Sequence, residues 1–233
     1  MLSLLLAPAV WGVLTQAASD SNPKYKLSIE AKAPDSALNV PADFFSFGFE
    51  TGFFDKFNNP FSENIVESVG KRMGAPIILR IGGTSGDLVS YKESQDEATV
   101  CVDGPSCPHS SKDTFSLGPS YFKAFGAFKD AHMVIQAPIY PKQNKTDWLN
   151  RTMDYVTQAT KELGQDRLAA IALGNEPNWY DYDQDTYISR ALQVEKAVIK
   201  KLGLKGDDQR IFELGEIPNA MLNKAKRSYT YSL

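Results

Sequence analysis

The feature that most constrains the fold of this chain is a regular alternation between short apolar runs and segments of helical periodicity, which begins near Phe44. The apolar runs lack the polar–apolar alternation of a strand with one solvated face, so they are typical of strands buried on both faces. Strands of this kind, when helical segments separate them, form parallel sheets from βα units. The pattern therefore predicts an α/β fold.

Five strands and four helices follow from this pattern. The predicted strands cover residues 45–49, 77–81, 133–137, 168–173 and 210–214. The predicted helices cover residues 65–73, 121–131, 148–163 and 188–202. Gly164 and Gly203 follow the last two helices, in the position where a glycine commonly ends a helix. A long loop that contains both cysteines separates the second strand from the second helix.

Two architectures are compatible with these βα units, an open doubly wound sheet and a (β/α)8 barrel of the TIM type. None of the helices opens with a G-x-G-x-x-G or P-loop pattern, so nothing favours a nucleotide-binding sheet. The pattern alone favours the barrel only slightly. On the barrel interpretation, residues 44–216 form a partial catalytic barrel, truncated after about five strands, and residues 217–233 form an atypical tail.

The N-terminal segment predicts export from the cell. Residues 1–18 are nearly all apolar up to Leu14 and end in small residues suited to cleavage, which is typical of a signal peptide. A short N-terminal anchor is the alternative, although the stretch is too short for stable membrane insertion. Residues 19–43 then hold one half-buried strand, 25–31, and a linker. We therefore expect a secreted protein.

The cysteines and two sequons fit an oxidising, extracellular compartment. Cys101 and Cys107 are the only two cysteines, and a short segment with Gly, Pro and Ser separates them. We expect them to close a small loop as a disulfide. A metal site with His109 is the alternative, but zinc requires three or four ligands. Asn144 and Asn150 begin Asn-x-Thr triplets and are candidate glycosylation sites.

Composition excludes some classes of partner. Of the 233 residues, 42% are hydrophobic and 23% are charged, as in a soluble globular protein, and the net charge is −3. No basic run occurs before the last dozen residues, so we do not expect nucleic acid as a partner. No motif indicates a metal or a cofactor, and we expect neither.

The most informative stretch follows the fourth predicted strand and reads Leu-Gly-Asn-Glu-Pro-Asn-Trp from Leu173 to Trp179. Loops at the carboxyl ends of strands converge on one crevice in βα folds, which places Glu176 for chemistry. Pro177 restricts the backbone of Glu176, and the apolar strand and the indole limit solvation of its carboxyl group. Desolvation raises a carboxyl pKa, so Glu176 can hold a proton near neutral pH and deliver it to a leaving oxygen. The alternative is that Glu176 caps the next element or pairs with an arginine.

Two motifs together indicate a family. Asn175-Glu176-Pro177 resembles the acid/base signature of the superfamily of retaining (β/α)8 glycosidases. With Leu79-Arg80-Ile81-Gly82-Gly83-Thr84 after the second strand, it is similar to glycoside hydrolase family 79, the heparanase and β-glucuronidase group, especially its fungal members. The similarity extends from about Tyr25 to Leu214. It implies a catalytic (β/α)8 barrel, a carbohydrate substrate, and a β-sandwich that would include the strand 25–31.

The resemblance also implies roles for individual residues. Glu176 would be the general acid/base, and Asn175 would bind the sugar 2-hydroxyl, a contact that strengthens in the transition state. Arg80 would lie near the nucleophile and help to keep it ionised, with a structural ion pair as the alternative. Thr84 would approach the substrate past a pair of glycines. Glu50, at the end of the first strand, would face the sugar.

The chain departs from the family in one essential respect. A retaining mechanism needs two carboxylates about 5–5.5 Å apart, one of them the nucleophile. In the family the nucleophile is a glutamate after the seventh strand, and no residue of this chain matches it. Glu216, after the fifth strand, is a substitute to which the family assigns no such duty. We therefore expect the chain as given to be unstable or inactive, although its parent is an enzyme.

The leading hypothesis is a hydrolase of β-linked glucuronides or related glycosides, and three alternatives remain. Another retaining glycosidase of the same superfamily would be distinguished by a panel of aryl glycosides. A secreted, non-catalytic carbohydrate-binding protein would bind sugar without turnover, and Glu176→Gln would not change the binding. A non-functional fragment would give no stable protein.

Overall fold

The computed structural model describes residues 37–102, 113–139, 146–177, 184–209 and 211–214. The chain divides into two compact units, Met1–Asn39 and Val40–Leu233, and all elements below belong to the second. The predicted signal peptide (1–18), N-terminal strand (25–31) and tail (217–233) lie outside the described residues. The domain boundaries drawn from the sequence stay predictions.

The described residues form eight strands, four α-helices and three short 3-10 helices. In chain order the strands are β1 (Ser46–Glu50), β2 (Ile77–Gly82), β3 (Val89–Tyr91), β4 (Thr99–Cys101), β5 (Phe115–Leu117), β6 (Ala131–Ala137), β7 (Leu168–Leu173) and β8 (Phe212–Leu214). The α-helices are α1 (Pro60–Met73), α2 (Pro119–Ala127), α3 (Trp148–Leu163) and α4 (Gln184–Leu202). The 3-10 helices cover Thr51–Phe57, Thr84–Leu88 and Gly206–Gln209.

The predicted parallel sheet is confirmed. Five strands pair in the order β1-β2-β6-β7-β8, and every neighbouring pair is parallel. This is also their order along the chain, with α1, α2, α3 and α4 in the four connections. Successive units of a (β/α)8 barrel pair in this way. Closure of the sheet into a barrel stays a prediction.

The two faces of the sheet bury different side chains. Leu79, Ile135 and Ile171 are fully buried on one face, in the main core. Tyr155 of α3 and Val194 of α4 belong to the same core. The opposite face carries a smaller buried cluster, which comprises Val134, Ala170 and Ala172. Because both faces bury apolar side chains, the strands are the continuous apolar runs seen in the sequence.

Some helix bounds differ from those predicted. α2 ends at Ala127 rather than at residue 131, because Ala131 is already the first residue of β6 and pairs with Ile77. α1 begins five residues before its predicted start, because Asn59 caps it: the Asn59 side-chain oxygen accepts from the backbone N–H of Ser62 at 3.1 Å. The apolar period therefore predicts that a helix is present better than it predicts where the helix begins and ends.

The loop between β2 and α2 contains a small sheet that the sequence does not predict. β3, β5 and β4 pair in that order, β3 with β5 in parallel and β4 with β5 in antiparallel. The Gln95 amide supports this sheet, because its Nε2 donates to the backbone oxygens of Glu97 and Ser116 at 2.7 and 3.0 Å. Strands of three residues are too short to show a period, so the sequence indicates only a loop there.

The predicted extracellular features fall partly within the described residues. Cys101 ends β4 and is disulfide-bonded. Cys107 and His109 lie outside the described residues, so the pairing of the two cysteines stays a prediction. Asn150 is exposed on α3, and Asn144 lies outside the described residues. None of the helices in the described ranges has the length and apolar character needed to cross a bilayer.

Candidate active site

The predicted acid/base residue lies in a strained turn directly after β7. The strand ends at Leu173, Gly174 follows with a φ of 78°, and Glu176 has a φ of 41°. In the described part of the chain, Glu176 is the one residue other than glycine with a positive φ. This conformation is uncommon for a residue with a side chain and persists only where surrounding contacts hold it. Strain of this kind is concentrated at functional sites.

Asn175 connects this turn to β2. Its side chain is 5% exposed, and its Oδ1 accepts a hydrogen bond from Arg80 Nη2 at 3.1 Å. Its Nδ2 donates to Glu176 Oε2 at 3.2 Å. A guanidinium group can only donate, so Arg80 requires the oxygen end of the amide and directs the NH2 end to Glu176. Arg80, Asn175 and Glu176 thus form one hydrogen-bonded series between the ends of two strands.

Arg80 reaches Asn175 from the face of the sheet opposite the main core. Arg80 alternates with the core residue Leu79 along β2 and pairs with Val134 of the smaller cluster. A Cβ atom on Gly82 would lie 2.7 Å from Arg80 Nη1 and 2.8 Å from Gln136 Oε1. Glycine at this position therefore leaves room for the guanidinium group.

Glu50 lies at the same edge of the sheet, where β1 ends beside β2. Its Oε2 accepts from the backbone N–H of Ser85 at 3.0 Å and from Ser85 Oγ at 2.6 Å. Gly83 has a φ of 87°, and a Cβ atom there would overlap the Glu50 carboxyl group. Within the described ranges, no hydrogen bond joins Glu50 to Asn175 or Glu176. The structure therefore brings Glu50 to the edge but not into the hydrogen-bonded series.

Thr84 opens the 3-10 helix that follows β2, and its side chain is half-buried. This helix starts directly after Gly83, so Thr84 lies at the carboxyl edge of the sheet with the other predicted residues. The proposed approach of Thr84 to a substrate stays a prediction.

Asp87 is a site residue that the sequence reasoning missed. It is 2% exposed, its Oδ2 accepts from the backbone N–H of Asn175 at 3.0 Å, and its Oδ1 accepts from the backbone N–H of Ile139 at 3.0 Å. Burial of a carboxylate is costly unless the group is hydrogen-bonded, and these two hydrogen bonds offset the cost of burying Asp87. Its one signal in the sequence was its position three residues after Thr84, in a loop of small residues.

One of the two alternatives for Glu176, an ion pair with an arginine, can be compared with the described residues; the other, capping of the next element, involves residues outside them. No lysine or arginine in the described ranges forms an ion pair with it. The same ranges contain no group of three His, Cys, Asp or Glu placed to hold a metal ion. The arrangement offers a half-buried carboxyl, a buried amide and a guanidinium group. Such a set can transfer a proton and bind hydroxyl groups.

Comparison with known proteins identifies relatives of this chain. No family model of known proteins matches it. A β-glucuronidase of Neurospora crassa is 29% identical over 163 residues, which make up 66% of this chain and 28% of that protein. A β-glucuronidase of Aspergillus niger is 25% identical over 223 residues, which make up 86% of this chain and 41% of that protein. The chain thus spans less than half the length of both relatives.

A solved structure shares the fold. The crystal structure of a 4-O-α-L-rhamnosyl-β-D-glucuronidase from Fusarium oxysporum matches with a TM-score of 0.55 at 22% identity. The match covers 69% of this chain and 35% of that one. At this level of identity the likeness shows the fold alone. The chain is therefore similar to β-glucuronidases in sequence and to a glucuronidase in fold.

Proposed function

We propose that this chain is part of a secreted, retaining glycoside hydrolase of family 79 that acts on β-glucuronides, with Glu176 as its general acid/base. The single observation that carries the proposal is the series Arg80–Asn175–Glu176 at the carboxyl edge of a parallel sheet. The similarity to two β-glucuronidases supports it independently.

In the proposed mechanism Glu176 acts twice. It first protonates the glycosidic oxygen as the bond to the aglycone breaks, and it then removes a proton from the water that hydrolyses the glycosyl intermediate. Its half-buried position at the sheet edge suits both steps, because the carboxyl group must meet substrate while remaining partly shielded from water. The nucleophile, which must lie about 5–5.5 Å away, comes from outside this chain in the proposal.

Asn175 is proposed to bind the 2-hydroxyl of the sugar. Its NH2 group donates one hydrogen to Glu176 Oε2, which leaves the second hydrogen for a ligand. Arg80 holds the amide from the opposite end, so the group is oriented before substrate arrives. Orientation in advance is valuable here, because hydrogen bonds to the 2-hydroxyl strengthen as the oxocarbenium-like transition state forms.

The test uses the protein encoded by the complete gene, with whatever sequence follows Leu233. We expect hydrolysis of 4-nitrophenyl β-D-glucuronide, and we expect Glu176→Gln to lower kcat by about 10²–10⁴-fold, because the general base that activates water is lost. Azide should restore turnover of an activated aryl glucuronide by Glu176→Ala, since an anionic nucleophile needs no general base. Glu93→Gln, at an exposed site after β3, is the matched control and should retain activity.

The outcomes separate the hypotheses. Faster turnover of aryl xylosides or glucosides than of glucuronides would indicate another glycosidase of the superfamily. Undiminished hydrolysis by Glu176→Gln would contradict the assigned role. Hydrolysis by purified residues 1–233 alone would contradict a nucleophile outside the chain.

A further inference from the structure

The carboxylate of Asp87 joins two strand ends through their backbones. One oxygen accepts the N–H of Ile139, after β6, and the other accepts the N–H of Asn175, after β7, both at 3.0 Å. The group is 2% exposed, so water does not compete for these bonds. Hydrogen bonds that an ionised group accepts are about twice as strong as neutral ones.

The segment at Ile139 is itself held on several sides. Its backbone oxygen accepts from Arg190 Nη1 at 2.9 Å, and Arg190 is buried. Its side chain packs against Gly174, where a Cβ atom would lie 3.2 Å from Ile139 Cδ1. The turn after β7 therefore packs against the segment at Ile139, which is itself held in place. Asp87 hydrogen-bonds to both the turn and this segment.

We propose that Asp87 is a positioning residue for the Asn175–Glu176 pair, a role that rests on the proposed function of Glu176. The strained φ of Glu176 requires the turn that leads into it to be held, and Asp87 binds the backbone N–H of Asn175, the residue directly before Glu176. Arg80 fixes the side chain of Asn175, whereas Asp87 fixes its backbone. Together they determine the direction in which the Glu176 carboxyl group points.

The first test measures backbone amide exchange by mass spectrometry in the folded protein from the complete gene. Asp87→Asn keeps one acceptor oxygen and places an NH2 group against the other backbone donor. We expect exchange in residues 174–176 to accelerate by about tenfold or more, with exchange in β2 unchanged. Asp113→Asn is the matched control, since it makes the same change at a carboxylate that is 8% exposed and outside this turn. Unchanged exchange in 174–176, or equal acceleration throughout the protein, would overturn the proposal.

The second test measures the effect of Asp87→Asn on kcat and KM. We expect Asp87→Asn to lower kcat by about tenfold to a hundredfold on 4-nitrophenyl β-D-glucuronide, with KM changed less than about threefold, because misplaced catalytic groups slow the chemical step. A rise in KM alone would overturn the positioning role. Glu176→Gln could retain activity while Asp87→Asn still accelerated amide exchange in residues 174–176. In that case the proposed function would fail, but the role of Asp87 in holding this turn would stand.

Discussion

Glu176 combines two properties that conflict at the scale of one residue. Its backbone lies in a region that favours glycine, yet the proposed chemistry needs its carboxyl group. Proteins keep strain of this kind where function requires it, at a cost of about 1–3 kcal/mol. The hydrogen bonds of Asn175 with Arg80 and Asp87 lie directly beside this strained residue.

This conflict gives a stability prediction. Glu176→Ala and Glu176→Gly both remove the carboxyl group, but only glycine relieves the backbone strain. We expect the glycine variant to be more stable than the alanine variant by about 1 kcal/mol in urea unfolding. At Glu195, within α4, the same pair should show the reverse order, because glycine destabilises a helix by about 1 kcal/mol relative to alanine. Equal midpoints for the two Glu176 variants would contradict the strain.

The sequence located part of the candidate site. Glu176, Asn175 and Arg80 belong to contiguous motifs at predicted strand ends, so the chain order places them at one edge of the sheet. Asp87 could not be identified in this way, because its role depends on backbone N–H groups 52 and 88 residues away. Contacts of this range follow from packing, which a local pattern does not encode.

At the scale of elements, the sequon in α3 has a structural explanation. Thr152 is fully buried, and its hydroxyl donates to the backbone oxygen of Pro138 at 2.6 Å, directly after β6. The same residue completes the triplet that begins at the exposed Asn150. The hydroxyl at this position therefore joins α3 to the strand end, whether or not the asparagine carries a glycan.

Three substitutions separate the packing role of Thr152 from its place in the glycosylation sequon. Thr152→Val should destabilise the protein by about 1–3 kcal/mol, because the buried Pro138 carbonyl loses its partner. Thr152→Ser keeps both the hydroxyl and the sequon and should cost less. Asn150→Gln removes only the sequon and should leave the urea midpoint nearly unchanged, while mass spectrometry shows whether a glycan is lost. A large destabilisation by Asn150→Gln alone would contradict this division.

The pattern of elements shows what periodicity can and cannot predict. The strands of the main sheet and α3 were predicted within about three residues of their observed bounds, because continuous apolar runs mark those strands and a helical period marks α3. The small sheet of β3, β4 and β5 was missed, since strands of three residues are too short to show a period. The early end of α2 was missed because Ala131 is compatible with both helix and strand.

At the scale of the whole molecule, the aromatic core determines a response to pH. Tyr121 of α2 is fully buried and donates to the backbone oxygen of Thr51 at 2.7 Å, while its ring contacts Phe54 and Phe122. Burial raises the pKa of Tyr121 well above 10. The folded protein therefore keeps this phenol protonated at a pH where the unfolded chain ionises it.

The consequence is a loss of stability in alkali. The contribution of Tyr121 is fully present below about pH 10, and it falls by about 1.4 kcal/mol per pH unit above that value, because the unfolded state then binds fewer protons. Tyr121→Phe should lower stability at pH 8 through the lost hydrogen bond, yet reduce the slope between about pH 10 and 11.5. Parallel pH–stability curves for the two proteins, measured by urea unfolding, would contradict this linkage.

One arrangement near the sheet edge restricts how this sequence can change over time. The Gln136 side chain is 1% exposed and lies against two glycines, where a methyl group on Gly86 would come within 2.6 Å of its Cδ. Alanine at position 86 would require the amide end of the Gln136 side chain to shift. Positions 86 and 136 are therefore expected to change together, because any side chain added at 86 takes space that the Gln136 amide now fills.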